Sequence, residues 1–394
     1  MDSIFSNTKE AFSLKTNFQL HRAKFLFKII QNKFLVRLGT TFTNFSLKFR
    51  LPVTSIIKFS VFNHFCGGIS EKDCEPVITK MYKRNVHSVL DFSTEAFNSE
   101  EQFDDCYKKK ISIINFIKSR TEIPFAVFKP TCLGRIDLFK KVSSKVQLNF
   151  LENEEWNRVV KRFQGICQKA FENNIKILID AEETFVQNAI DDLAIKMMLI
   201  YNKNNPIVYN TVQMYRWDRL DYMKDLLKNK GIVFGFKLVR GAYMEKEREY
   251  ASLMNIKSPI CLDKSSTDIN FDKGLDFIFN NIDKVSLVCG SHNEHSTLKI
   301  MKKMSELGIS KNDEKVWFGQ LYGMSDNITF NLSKVGYNVF KILPFGPVRN
   351  LMPYLIRRAE ENSSVKGQTG RELQLIVTEI NRRKLKKIFI NKDS

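Results

Sequence analysis

The chain has 394 residues, 43% of them hydrophobic, with a formal net charge of +19 and a mean hydropathy of -0.26. That length is enough to bury a large core, and no uncharged apolar run approaches the roughly 18 residues of a membrane span. The charge invites a nucleic-acid reading, but the lysines are spread over the whole chain among abundant Asn, Ile and Phe, as biased base composition also produces, so no nucleic-acid partner is expected.

From the N-terminus, Ala11 to Ser70 contains no Asp or Glu and many cations among Phe, Leu and Ile, the composition of an organelle transit peptide. The stretch is long, heavily apolar and runs into the next helix without a cleavage-like break. Gln19–Arg37 and Asn44–Phe65 therefore read as mature helices that pack on the main domain or rest on a membrane, within an N-terminal helical region 1–85.

From Val86 onward, β-rich runs alternate with amphipathic or charged segments. The expected strands are Ser88–Phe92, Phe125–Lys129, Lys176–Asp180, Pro206–Asn210, Phe234–Val239, Ser286–Gly290, Val316–Gln320 and Val339–Leu343. Helical patterns such as Asn153–Asn173, Phe185–Tyr201 and Asp218–Asn229 lie between them. This alternation predicts an α/β fold, a distorted (β/α)8 TIM-type barrel over 86–370. A doubly wound sheet is the alternative, but the Gly-x-Gly-x-x-Gly turn that usually opens one for dinucleotides is missing.

In such a barrel the site is built from strand C-terminal ends. Glu95 follows the first expected strand, Lys129 closes the second, Asp180 the third and Asn210 the fourth. The fifth supplies Lys237 and Arg240, the sixth Ser291 and His292, and the seventh Gln320. The fifth unit is the most informative: Phe-Lys-Leu-Val-Arg-Gly-Ala-Tyr runs from Phe236 into a turn at Gly241 and a charged helix, so two cations flank a glycine that lets backbone N–H groups approach a ligand. Each residue alone also fits a cap or turn; together they define one mouth.

Pro344-Phe-Gly-Pro347 makes a rigid turn, and Leu351–Asn362 reads as a helix carrying Arg357 and Arg358. Adjacent guanidinium groups with Lys129 in reach suit capture of a carboxylate. His292-Asn-Glu-His295 has no third ligand at a metal-site spacing, so no metal is expected and the histidine reads as a hydrogen-bond donor to a cofactor oxygen. The seven cysteines are scattered with no Cys-x-x-Cys pair, which points to a reducing compartment and against a disulfide framework or zinc ribbon. Phosphate-loop and nucleophile-elbow motifs are also missing. The tail from Arg371 to Lys392 alternates apolar and basic residues, as a membrane-facing amphipathic helix or as a helix packed on the barrel.

At this point the chain resembles proline dehydrogenase, most closely its single-function bacterial members. Besides the Lys237 stretch, the resemblance rests on Phe-Ala-Val-Phe-Lys-Pro-Thr around Lys129, Ile-Asp-Ala-Glu-Glu at Asp180, Ser-His-Asn-Glu from Ser291, Phe-Gly-Gln-Leu-Tyr-Gly-Met from Phe318 and Pro-Tyr-Leu-Ile-Arg-Arg-Ala-Glu-Glu-Asn from Pro353. It implies an FAD-binding barrel that oxidises L-proline to Δ1-pyrroline-5-carboxylate and passes electrons to a membrane quinone. Lys129, Arg357 and Arg358 would bind the substrate carboxylate, Asp180 would be the active-site carboxylate, and Lys237 would lie near flavin N5, where many members have arginine. Ala181, Asn210, Arg240, Gly241, Ala242, Ser291 and His292 would line the cofactor. Glu95 would pair with an arginine and gate the pocket, and Tyr243 and Leu321 would shape its wall. The implied setting is a bacterial cytoplasm, peripheral to the membrane, or a mitochondrion in a eukaryote, with pyrroline-5-carboxylate dehydrogenase as a further partner.

One position departs from the family pattern. Ile342, in Phe-Lys-Ile-Leu-Pro, stands where a tyrosine is usual. Isoleucine keeps apolar bulk and removes a hydroxyl, a loss of roughly 1–3 kcal/mol for a polar neighbour left short of a bond, so weaker proline binding or a shift toward an analogue such as hydroxyproline is expected. A flavin-free barrel lyase using Lys129 or Lys237 as a Schiff base is the other enzyme reading.

Overall fold

The structure, a computed structural model, describes residues 4–48, 57–93, 97–228, 231–364 and 368–390. Its strands are β1 (His87–Phe92), β2 (Phe125–Phe128), β3 (Lys176–Ile179), β4 (Val208–Gln213), β5 (Phe234–Val239), β6 (Val285–Gly290), β7 (Val316–Leu321) and β8 (Val339–Phe345), closed into a barrel in sequence order. Pairing from β1 through β7 is parallel, with Val89 opposite Phe125 and Lys237 opposite Thr211 on one side and Val288 on the other. The expected (β/α)8 fold is the one observed. Strands such as Phe125–Phe128 are buried at every residue, as parallel strands covered on both faces must be.

The chain divides into two compact units. One comprises Val89–Phe92 and Ala96–Gly319. Its aromatic core is fixed by Phe125, whose ring meets Tyr209 and Trp317 edge-on at 5.7 and 5.3 Å between centroids. Its longest helix, Phe150–Glu172, starts where Asn149 and Glu152 exchange side-chain to backbone hydrogen bonds of 2.9 and 3.1 Å, satisfying donors that a helix start otherwise leaves unpaired.

The other unit comprises Met1–Ser88, Ser93–Glu95 and Gln320–Ser394. The helix expected over Gln19–Arg37 is broken into Asn17–Ile30 and Lys33–Lys48. The Asn32 side chain accepts from the backbone N–H groups of Phe34 and Leu35 at 3.0 and 3.3 Å, so it caps a new helix where periodicity alone suggests continuation. The expected Asn44–Phe65 helix lies partly outside the described residues.

The C-terminal helix, Gln368–Ile390, turns Leu375, Ile376 and Ile380 onto Ala11, Phe12, Leu20, Ala23 and Phe27. Arg383 locks the pair by donating to the carbonyls of Phe12 and Lys15, both at 2.9 Å, and to the buried carboxylate of Glu379 at 2.7 Å. The tail is thus a packed helix, and its partner is the Asn17–Ile30 helix.

Beneath this contact lies a buried charge cluster. Lys341, fully buried on β8, meets Asp326 at 3.0 Å and donates to the carbonyl of Met324, and Lys15 meets the other Asp326 oxygen at 3.5 Å. Burial alone would lift the Asp326 carboxyl, but the two ammonium groups outweigh it and hold it below the usual carboxylate range. Glu372 accepts from Ser325 N–H at 3.1 Å, and burial, with Asp326 nearby, lifts its carboxyl to about 7. His64 packs against the same turn, donating from Nε2 to the Gly323 carbonyl at 2.9 Å, and burial with Lys15 nearby lowers it to about 3. Gly323 is obligatory there: its φ is +83°, and a Cβ would lie 2.4 Å from the His64 carbonyl oxygen.

The Glu372 shift predicts a pH effect. Its folded-state value lies above the ordinary 4.5, so the native chain loses stability as pH rises from about 4.5 through 7. Glu372→Gln removes that loss, and the variant should gain about 3 kcal/mol relative to native across this window and hold the gain above it. His64 acts in the opposite sense but cancels in the variant-minus-native difference. Denaturant midpoints at pH 5 and pH 8 check this, and an unchanged difference would refute it.

Candidate active site

In the unit that holds β2 to β6, Lys237 projects from β5 and is buried, and its ammonium lies 2.5 Å from the Asp180 carboxylate, which follows β3. The backbone N–H of Asp180 donates to the Phe128 carbonyl at 3.0 Å, fixing this carboxylate against the end of β2. Lys129 is the next residue after Phe128, in extended backbone. Two residues further, Thr131 gives both its N–H and its hydroxyl to Glu182, at 2.9 and 2.5 Å. Burial lifts the Glu182 carboxyl to about 7, against the pull of these hydrogen bonds and of Lys129.

Asn210 requires a correction. The expected strand ended there, whereas β4 runs on to Gln213, so Asn210 lies inside the strand and Gln213 takes the end, donating to the Glu182 carbonyl at 2.8 Å. The buried position is possible because the Asn210 Nδ2 group donates to Asp191 at 2.9 Å and to the Tyr222 hydroxyl at 3.1 Å. Asp191 is held in turn by Gln187 and Arg219, at 2.8 and 2.6 Å. Both Nδ2 hydrogens are therefore used, and Oδ1 is left buried with no partner. Asp191 and Tyr222 belong to the Thr184–Tyr201 and Arg219–Leu226 helices, and it is Thr211 that lies opposite Lys237, so Asn210 faces the helices and not the side of the strand expected to meet a cofactor.

Arg240 follows β5. Its guanidinium donates to Asp268 at 2.6 Å and to the hydroxyls of Ser291 and Ser296, both at 3.0 Å, over the Phe271 ring at 4.3 Å. Ser291 and Arg240, singled out from distant motifs, thus meet. Gly241 then turns with φ +132°, 2.6 Å from the Tyr215 ring for any added Cβ, and Ala242 and Tyr243 lead into the Met244–Leu253 helix. Ala181 and His292 are half-buried beside Asp180 and Ser291.

In the other unit, Leu321 closes β7, and Tyr322 N–H donates to the Ile342 carbonyl on β8 at 2.9 Å. Gln320 accepts from the Thr329 hydroxyl at 2.8 Å. Arg357 and Arg358 are half-buried on the Met352–Ser364 helix, with the Arg358 guanidinium 5.4 Å from the Tyr354 ring centre. Glu95 lies outside the described residues.

Sequence reasoning missed Glu182, Asp191, Gln187, Arg219 and Gln213. Glu182 stands in the Asp-Ala-Glu-Glu stretch already singled out, and its signal was a second carboxylate two residues past a strand end. The others are ordinary helix and strand residues until the fold buries them together.

Fold and site define a (β/α)8 barrel with a lysine–carboxylate pair at its strand ends, the arrangement of barrel enzymes. A family model described as proline dehydrogenase matches residues 74–371. The chain is 31% identical over 377 residues to "Proline dehydrogenase 1, mitochondrial" of Arabidopsis thaliana, covering 84% of this chain and 76% of that protein. It is 29% identical over 412 residues to "Hydroxyproline dehydrogenase" of Xenopus laevis, covering 94% and 88%. Among solved structures, proline utilization A from Bdellovibrio bacteriovorus inactivated by N-propargylglycine superposes with a TM-score of 0.70 at 21% identity, over 92% of this chain and 37% of that one. The chain belongs to the proline dehydrogenase family and is an oxidoreductase.

Proposed function

We propose that the protein is an FAD-dependent dehydrogenase that oxidises L-proline to Δ1-pyrroline-5-carboxylate and passes the electrons to a membrane quinone. The observation that carries this reading is the 2.5 Å pair between Asp180 and the buried Lys237, from strands whose ends are where barrel sites are built. A buried ammonium there suits a ring that takes up electrons, so the residues present fit the cofactor. When bound, FAD supplies the acceptor for hydride from the carbon next to the substrate nitrogen.

The chain's own residues do the rest. Lys129, Arg357 and Arg358 bind the substrate carboxylate and fix its orientation. Lys237 places positive charge beside the ring, which favours added electrons, and Asp180 holds that ammonium in position. Arg240, Gly241, Ala242, Ser291 and His292 line the cofactor with Ala181. Tyr243, Leu321 and Ile342 form the pocket wall, and Glu95 gates it. A pyrroline-5-carboxylate dehydrogenase consumes the product.

The decisive experiment is an anaerobic absorbance titration of the FAD-loaded protein with L-proline and with trans-4-hydroxy-L-proline. Bleaching by proline supports the main reading. Bleaching by the hydroxylated analogue alone favours the second reading, which rests on Ile342 in place of tyrosine, and Ile342→Tyr should then restore the response to proline. A protein that takes up no FAD defeats both and returns attention to the lyase.

A further inference from the structure

The Asn17–Ile30 helix buries Leu20, Ala23, Leu26, Phe27 and Ile30 and leaves a second stripe outward. Phe18, His21, Phe25 and Lys28 follow one another at helical spacing on that stripe, all exposed. Phe18 is 63% exposed and Phe25 67%. Phe59 is 59% exposed, and its ring lies 6.3 Å from that of Phe18. Arg22 holds the two segments together by donating to the carbonyls of Phe59 and Asn63, at 3.4 and 3.3 Å. The next helix opens in the same manner, with Phe34 67% exposed and Arg37 and Leu38 outward one turn later.

A single exposed ring needs no partner, but several exposed rings on one face mark a binding surface, and here the aromatic rings alternate with cations. The charge pattern selects the partner. From Ala11 to Ser70 the chain has no carboxylate at all, whereas protein surfaces that pair with one another carry both signs. Aromatic rings beside lysine and arginine, with no acidic residue, match the boundary of an anionic bilayer. Among the described residues no helix is long and apolar enough to cross a membrane, so the contact lies in the interface plane.

We propose that this face, built from Phe18, Phe25, Phe34, Leu38 and Phe59 with Lys28 and Arg37, docks the protein on anionic lipid, and that the C-terminal helix does not, because its apolar side is already spent on Phe12, Leu20 and Phe27. This rests on the proposed delivery of electrons to a membrane quinone and deepens it, and its test reads lipid binding without catalysis, so failure of the one is distinguished from failure of the other.

The test is sedimentation of the intact FAD-loaded chain with vesicles of phosphatidylcholine, alone or mixed with phosphatidylglycerol. The native chain should bind the mixed vesicles at least about tenfold better than the neutral ones. Phe25→Ser with Phe34→Ser should lower that binding at least about tenfold with an unchanged melting temperature, because both rings are already in water. Lys28→Glu with Arg37→Glu should abolish the preference for anionic lipid. Equal binding by native and doubly substituted chains would overturn the proposal. So would a native dimer, seen by light scattering, that Phe25→Ser with Phe34→Ser dissociates, since the face would then belong to a second copy.

Discussion

A Lys237→Met protein will reduce its flavin with proline about 100- to 1000-fold more slowly than the native chain, the scale on which removal of one preorganised charge at a reacting centre is felt. Methionine matches the length and apolar stem of lysine, so the volume within the barrel is kept and the change is mainly one of charge. It also frees the Asp180 carboxylate, held 2.5 Å from the ammonium in the native protein, and a negative group near the ring opposes the arriving electrons. Lys237→Arg should recover most of the rate, because a guanidinium supplies the same sign. Stopped-flow absorbance under anaerobic conditions reads both. A methionine variant that reduces at the native rate would remove Lys237 from the chemistry.

The second large effect is on stability. Asp326→Asn leaves the Lys341 ammonium, with no exposed surface, facing a neutral amide, with Lys15 also deprived of its carboxylate. Loss of one partner from a buried pair costs roughly 3–5 kcal/mol, and urea unfolding should show a drop of that size. Lys341→Met combined with Asp326→Asn should recover much of it, because the stranded charge is then gone. Additive losses in the double variant would mean that the pair does not act as a unit.

The barrel was legible in the sequence because parallel strands buried on both faces are written as short apolar runs, and β5 begins and ends where the pattern places it. Lys237, Asp180, Arg240 and Ser291 were legible because strand ends are informative positions in this fold. The Asp191–Asn210 network was hidden, since hydrogen bonds between distant buried side chains leave no periodic trace. β4 was cut short for the same reason: Asn210 reads as a turn residue until Asp191 and Tyr222 are seen to satisfy it. The break at Asn32 was hidden by the apolar pattern on either side, where one capping side chain decides the matter.

The pairing of the Gln368–Ile390 helix with the Asn17–Ile30 helix also sets an order of events during synthesis. Leu20, Ala23 and Phe27 leave the ribosome long before the residues that cover them, Leu375, Ile376 and Ile380. At about 5–20 residues per second, the early helix waits tens of seconds with its inner face uncovered. The inner face of the early helix stays open until the Gln368–Ile390 helix has been made, and that interval is when the nascent protein most needs a holding chaperone.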